Sequence, residues 1–259
     1  MSAKVELQKE NGVAVVTINN PPLNVMDKEV IMSLRSIFVE LEEDRETVCI
    51  ILTSAGEDAF MAGADIKEFP GLMVHPNMKE PVMETHAFLN QIDFCGKPTI
   101  AVLNGLTFGG GCELALTCDI RIAEEHTQIG LPEIKLGLFP GGGGTQRLPR
   151  LIGEAKAKEM MYTGDPIDAN TALAIGLVNH VTEKGAGLDK AMELAKRISR
   201  HSLPALKCIK EAVDEGLDMS FPAAIEHEAD LFTKVFQTED IKEGVTAFIE
   251  KRKPVFKHR

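Results

Sequence analysis

Apolar positions along the 259-residue chain follow two different periods, and the change between them predicts the layout. Residues 13–18 are a continuous β-branched run, as a buried strand requires, and Asn20-Pro21-Pro22 stops it. Between Lys28 and Glu43, Val30, Ile31, Leu34, Ile37, Phe38 and Leu41 form one helical stripe. Further strands are predicted at 48–53, 99–103, 119–123, 128–130 and 178–181, and the opening 1–6 enters a strand pattern at once. A helix is expected over about 81–93, and residues 60–67 read as a strand giving way to a turn of helix. Beyond residue 182 only helical patterns remain, at 188–199, 203–216, 221–236 and 239–251. In the third of these, Ile225, Ala229, Phe232 and Phe236 make one stripe. An α/β core at 1–190 followed by a helical region at 191–259 is the expected organisation. No Gly/Ser linker separates the two, so the helices should pack on the core or on a neighbouring subunit. No low-complexity segment or clear sequence repeat is visible.

Composition narrows the function classes. The chain is 44% hydrophobic and carries a net charge of −11, so nucleic acid and anionic membranes are poor partners without a local basic patch. The one such patch is the tail, Lys251-Arg252-Lys253 and Lys257-His258-Arg259, which reads first as solvated charge. Cys49, Cys95, Cys112, Cys118 and Cys208 form no C-x-x-C and sit mostly in apolar runs, as reduced core cysteines would. With no apolar leader and no run long enough to span a bilayer, the expectation is a cytoplasmic chain. Seven scattered histidines lack a second ligand at metal spacing, so no metal is expected. The Met and Phe residues are expected in the core.

Candidate chemistry concentrates in residues 104–147. Gly109-Gly110-Gly111 leads into a helix carrying Glu113 in its first turn, and Leu131-Pro132-Glu133 follows an apolar stretch. Pro140 and Gly141 to Gly144 then open another helix. Neither glycine cluster has the Lys-Ser or Lys-Thr of a phosphate loop. A dinucleotide fingerprint would need a third glycine where Leu114, Gln146 or Arg147 stands. G-x-S-x-G and H-E-x-x-H are absent, which removes the serine-hydrolase and zincin readings. Glu113 could simply complement a helix N-terminus, and Glu133 could be a helix-start acid. Against that, Cys112, Leu114, Ala115 and Leu116 are apolar, and burial would raise a carboxyl pKa toward the range useful to an acid or base. Two such carboxylates beside unshielded backbone amides suit acid–base chemistry on a carbonyl compound.

These residues resemble the crotonase superfamily, and its enoyl-CoA hydratase branch in particular. The matching pieces are Ala62-Gly63-Ala64-Asp65-Ile66-Lys67, Asn104-Gly105, Gly109 to Ala115, Cys118-Asp119, Leu131-Pro132-Glu133 and Pro140 through Leu148. Thr163-Gly164-Asp165, residues 174–178 and the tail 250–256 also match, so the resemblance spans nearly the whole chain. It implies a crotonase-like spiral of ββα repeats with C-terminal helices that mediate trimerisation, as a homotrimer or a homohexamer built as a dimer of trimers. It also implies an acyl-CoA thioester substrate and no separate cofactor, coenzyme A being part of the substrate.

By the same resemblance the N–H groups of Ala64 and Gly110 form an oxyanion hole, and Glu113 and Glu133 are the catalytic pair for syn addition of water to a trans-2-enoyl-CoA. Ala62, Asp65 and Ile66 are expected near the adenine and pantetheine. Lys67, Phe256 and Lys257 are expected toward the CoA phosphates, the tail from a neighbouring subunit. Many hydratases have Phe-Gly-Gln-Pro-Glu where this chain has Ile129-Gly130-Leu131-Pro132-Glu133, so the acid's surroundings should be more apolar here. The rival readings are a Δ3,Δ2-enoyl-CoA isomerase using one glutamate, a non-catalytic acyl-CoA-binding protein, and an RNA-binding relative that the charge of −11 disfavours.

Overall fold

The structure is a computed structural model that describes residues 3–259; Met1 and Ser2, where the first strand pattern begins, lie outside it. In chain order the elements are β1 (Val5–Glu10), β2 (Val13–Ile18), α1 (Lys28–Glu43), β3 (Cys49–Ser54) and β4 (Ala59–Met61). A 3-10 turn (Ile66–Glu68), α2 (Phe69–Met73), α3 (Lys79–Asp93), β5 (Thr99–Leu103), β6 (Leu106–Phe108) and α4 (Gly110–Ala115) follow. Next come β7 (Ile120–Glu124), β8 (Gln128–Gly130), a second 3-10 turn (Pro132–Leu136), α5 (Gly144–Ile152) and α6 (Glu154–Thr163). The chain closes with β9 (Ile167–Asp168), α7 (Ala169–Ala174), β10 (His180–Thr182), α8 (Gly187–Ile198), α9 (Leu203–Gly216), α10 (Phe221–Val235) and α11 (Glu239–Ile249).

Two sheets run side by side. The larger has the order β1-β2-β3-β5-β7-β10, parallel except for the β1–β2 hairpin. The smaller, β4-β6-β8-β9, is parallel up to its last strand. Successive strand pairs β3–β4, β5–β6 and β7–β8 each place one strand in each sheet before the chain turns helical. That is the ββα spiral, a structural repeat with no visible sequence repeat.

The apolar runs are continuous because the large sheet is covered on both faces. Alternate side chains point opposite ways. Ile50, Leu52, Ala101 and Leu103 join the main core with Val30, Leu34 and Phe38 of α1 and Phe88, Leu89 and Ile92 of α3. Cys49, Ile51, Ile100, Val102 and Ile122 pack instead under α8, where Ala191 and Ala195 face them. Residue 190 thus falls inside a helix packed on the large sheet. Asp27 caps α1 through the Val30 N–H at 2.9 Å, and the buried Lys97 ammonium donates to the Leu41 and Asp44 carbonyls at its far end.

The C-terminal helices are tied to this core by ion pairs, Lys210 to Asp119 at 2.8 Å and Lys207 to Glu42 at 2.5 Å. Their apolar residues correct one expectation. The stripe on α10 does not enter the core: Phe232 and Phe236 are 63% and 59% exposed, Ile225 is also exposed, and only Leu231 of that helix is buried. Ile209, Val213, Leu217, Phe221, Phe248 and Ile249 are exposed as well. Only Phe38, Phe60 and Phe88 among the phenylalanines are fully buried; the rest, like Met32, Met73 and Met83, lie wholly or partly at the surface. An amphipathic pattern fixes which side of a helix is apolar but not what covers it. The five cysteines are unpaired thiols, four buried and Cys208 half-buried. No helix among the described residues is long and apolar enough to cross a membrane.

Folding also groups side chains that sequence spacing left apart. Glu211 and Glu215, one turn apart on α9, converge with His227 of α10, their ligand-type atoms within 4.8 Å of one another. His227 Nε2 lies 3.3 Å from Glu215, and Lys234 Nζ lies 3.5 Å from Glu211, offsetting its charge. Folding thus brings two carboxylates to one histidine, a grouping that the sequence spacing did not show.

Candidate active site

The site forms after β4, β6 and β8 of the smaller sheet, from four local structures. The first is the loop after β4. Met26 pairs with Ala64 as an isolated parallel bridge: the Met26 N–H donates to the Gly63 carbonyl at 2.8 Å, and the Asp65 N–H donates to Met26 at 3.3 Å. These bonds flank Ala64 and leave its own N–H without a donor role among the described residues. The second is the Gly109 turn after β6, whose N–H donates to the Gly130 carbonyl at 3.0 Å. Gly110 is the first residue of α4, so its N–H has no partner within the helix. A Cβ built on Gly110 would lie 3.6 Å from the Ala64 nitrogen, so the two free amides sit together. Two neighbouring amides without acceptors are candidate donors to one carbonyl oxygen.

The third structure carries Glu113, in the first turn of α4 and only 5% exposed. Its Oε1 accepts two backbone bonds, from Gly142 N at 2.7 Å and Gly144 N at 2.9 Å. Side chains are excluded there, since a methyl at Gly142 would sit 2.5 Å from Glu113 Oε2. Burial pushes the Glu113 carboxyl above the usual range, while the two amides, with His86 and Arg147 at greater range, pull it back toward the ionised form.

The fourth is the 3-10 turn at 132–136, which presents Glu133. Its Oε1 faces Gly109, 3.1 Å from where a Cβ would stand, and its Oε2 is buried with no hydrogen-bond partner. Burial pushes this carboxyl up to about 7, with the Glu113 charge adding to the rise and only its own backbone N–H opposing it. Leu131 is fully buried and packs toward Gly144, so this surface of the site is apolar. The two glutamates therefore share a site and differ in support: one is held by other residues' amides, the other is not.

Of the residues expected around the ligand, Ala62 is half-buried and donates its N–H to the Leu23 carbonyl at 3.1 Å. Asp65 caps the following turn through the Lys67 N–H at 3.0 Å, and Ile66 and Lys67 are exposed beside it. Phe256 and Lys257 pack elsewhere in the same chain. Phe256 lies against Gly244 of α11, and the Lys257 N–H donates to the buried Asp240 at 2.7 Å. The sequence reading missed the amides of Gly142 and Gly144, the Met26 bridge, and Arg147 with its partners on α3. The run of four glycines signalled the first and the matching stretch through Leu148 contained Arg147, but the Met26 bridge and the α3 partners arise from contacts distant in sequence.

Comparison with known proteins shows the family. Residues 8–259 match the family model described as enoyl-CoA hydratase/isomerase. The chain belongs to this family. A short-chain-enoyl-CoA hydratase of Clostridium acetobutylicum is 42% identical over 250 residues, covering 96% of this chain and 95% of that protein. A crotonyl-CoA hydratase of Syntrophomonas wolfei is 40% identical, with 96% of each chain covered. The crystal structure of an enoyl-CoA hydratase from Bacillus anthracis superposes with a TM-score of 0.94 at 36% identity, covering 99% of this chain and 100% of the other. The α/β spiral is thus the fold of the family.

Proposed function

We propose that this chain is an enoyl-CoA hydratase that adds water syn to a trans-2-enoyl-CoA, giving a 3-hydroxyacyl-CoA. The observation that carries the reading is the pair of glutamates beside two unpartnered amides, Ala64 N–H and Gly110 N–H. The thioester oxygen would accept from both amides, which stabilise the negative charge that builds on it as Cβ is attacked. Glu113, fixed by Gly142 and Gly144, takes in its carboxylate form a proton from water as the new C–O bond forms at Cβ. The C=C π electrons move into an enolate, and Glu133, held protonated up to about 7, delivers its proton to Cα. Proton exchange between the pair then restores the starting state. The Glu113 charge raises the Glu133 carboxyl further, so the division of labour belongs to the pair.

The relatives' names, short-chain and crotonyl, support a short acyl group as the first substrate to try. Coenzyme A enters as part of that substrate, with no separate cofactor. Ala62, Asp65, Ile66 and Lys67 would line its path. Phe256 and Lys257 would reach the CoA phosphates only from a neighbouring copy in a homotrimer or homohexamer, for which the exposed apolar faces of α9, α10 and α11 are suited.

Loss of the conjugated-thioester absorbance of crotonyl-CoA tests the proposal. The wild type should turn over, and folded Glu113→Gln and Glu133→Gln should each lose ~10²–10⁴-fold in kcat. Retained hydration in Glu113→Gln would contradict it. A wild type inert to crotonyl-CoA and longer trans-2-enoyl-CoAs but active on a 3-enoyl-CoA would replace it with isomerisation.

A further inference from the structure

Glu113 is aimed by two amides on residues that have no side chains and whose unfolded backbone is the most flexible available. Something must hold that loop. The structure supplies Arg147, on the helix the loop opens. Its Nη1 donates to the Gly142 carbonyl at 3.2 Å, on the residue whose N–H grips Glu113. Its Nε donates to Asp93 Oδ2 and its Nη2 to Asn90 Oδ1, both at 2.6 Å, and both acceptors belong to α3. The Arg147 backbone N–H closes on the Gly143 carbonyl at 2.8 Å. Gly143 has φ +104°, and a Cβ there would collide with Arg147 Nη1, so the guanidinium lies directly over the loop.

Resting on the hydratase reading above, we propose that Arg147, anchored by Asp93 and Asn90, is a positioning residue that holds the Glu113 carboxylate in place through the Gly142 peptide. The guanidinium meets three acceptors, one from each of its three nitrogens. A lysine ammonium on its flexible stem cannot span them together. The groups with charge or titration that face Glu113 are His86 from α3, Arg147 from α5 and Glu133 from the 132–136 turn, with the Cys112 thiol on its own helix. Arg147 is the permanent cation among them. Without it Glu113 loses both a nearby positive charge and firm amide donors, so its carboxylate form becomes harder to reach.

The test uses the full-length protein and crotonyl-CoA. Arg147→Met should lower kcat by ~10–100-fold while KM changes little, the size expected for misplacing a reacting group by about 1 Å. The acidic limb of its pH–rate profile should move to higher pH, and Arg147→Lys should recover little of either. A merely structural staple would lower the amount of folded enzyme and leave the limb where it was. Unchanged kcat and limb in Arg147→Met, or full recovery in Arg147→Lys, would overturn the proposal. If Arg147→Met does not fold, Asn90→Ala removes one anchor alone. It should show the same two changes at smaller size, and the absence of both would overturn the proposal equally. Inactivity of the wild type would instead count against the hydratase reading itself.

Discussion

The two glycine clusters look alike in the sequence, each preceding a helix, yet they spend their backbone amides differently. Around Gly109 and Gly110, the chain satisfies the Gly109 N–H with the Gly130 carbonyl and leaves the Gly110 N–H free beside Ala64. Around Gly142 and Gly144, both N–H groups are consumed by one side chain, Glu113. One cluster offers donors outward to a ligand; the other builds a seat for an acid within the protein. Glycine is required at 142 by the close approach of Glu113, whereas a Cβ at 110 would meet nothing nearer than 3.6 Å. A glycine-rich turn before a helix therefore does not by itself identify an anion site.

That contrast can be broken at either cluster. Gly110→Pro removes the outward N–H and should cost ~10²–10³ in kcat for crotonyl-CoA, as for removal of one oxyanion donor. Pro is tolerated at the first residue of a helix, so circular dichroism should still show a folded chain. Gly142→Ala sets a methyl against the Glu113 carboxylate and should cost ~10² by displacing it. Its KM for crotonyl-CoA should change less than that of Gly110→Pro, because the thioester grip is intact. Equal kinetic signatures in the two variants would remove the distinction between an outward and an inward amide cluster.

The smallest predicted effect sharpens the difference between the two acids. Glu133 lacks amide donors from other residues and is held up to about 7 against an ordinary value of 4.5. The folded chain thus keeps a proton that the unfolded chain releases between those values. This contribution to stability is complete below about pH 4.5 and is lost as pH rises through about 7. Glu133→Gln cannot ionise, so against wild type it should be near neutral at pH 4 and more stable at pH 8. A gain of about 1–2 kcal/mol at pH 8 is expected after discounting for solvent access, read by thermal or urea unfolding. A constant difference across that range would mean that Glu133 is not desolvated.

Much of this was legible in the sequence, for reasons that mark where legibility ends. The α1 bounds follow from its stripe, and β5 and α9 from apolar runs flanked by proline, because each is specified by its own residues. The assignment of Glu113 and Glu133 to one site came from resemblance; geometry then set their neighbours. The Met26–Ala64 bridge joins segments from opposite sides of α1 and β3, and no local pattern encodes it. Arg147 read as part of a motif, but its partners lie 54 and 57 residues earlier on α3. The α10 stripe read as apolar with its cover left open between the core and a neighbouring subunit, and what fails is the expectation that its phenylalanines lie in the core. Pattern reports a face, whereas burial depends on what else is present.

Hydration of crotonyl-CoA in D2O, with the product's configuration at Cα and Cβ read by NMR, most directly tests the two-glutamate account. On that account both carboxyls approach the substrate from one side. The predicted product is 3-hydroxybutyryl-CoA with a single deuterium at Cα, added to the same face as the hydroxyl. Anti addition, or deuterium at both faces during a single turnover, would contradict delivery of water and proton by this pair.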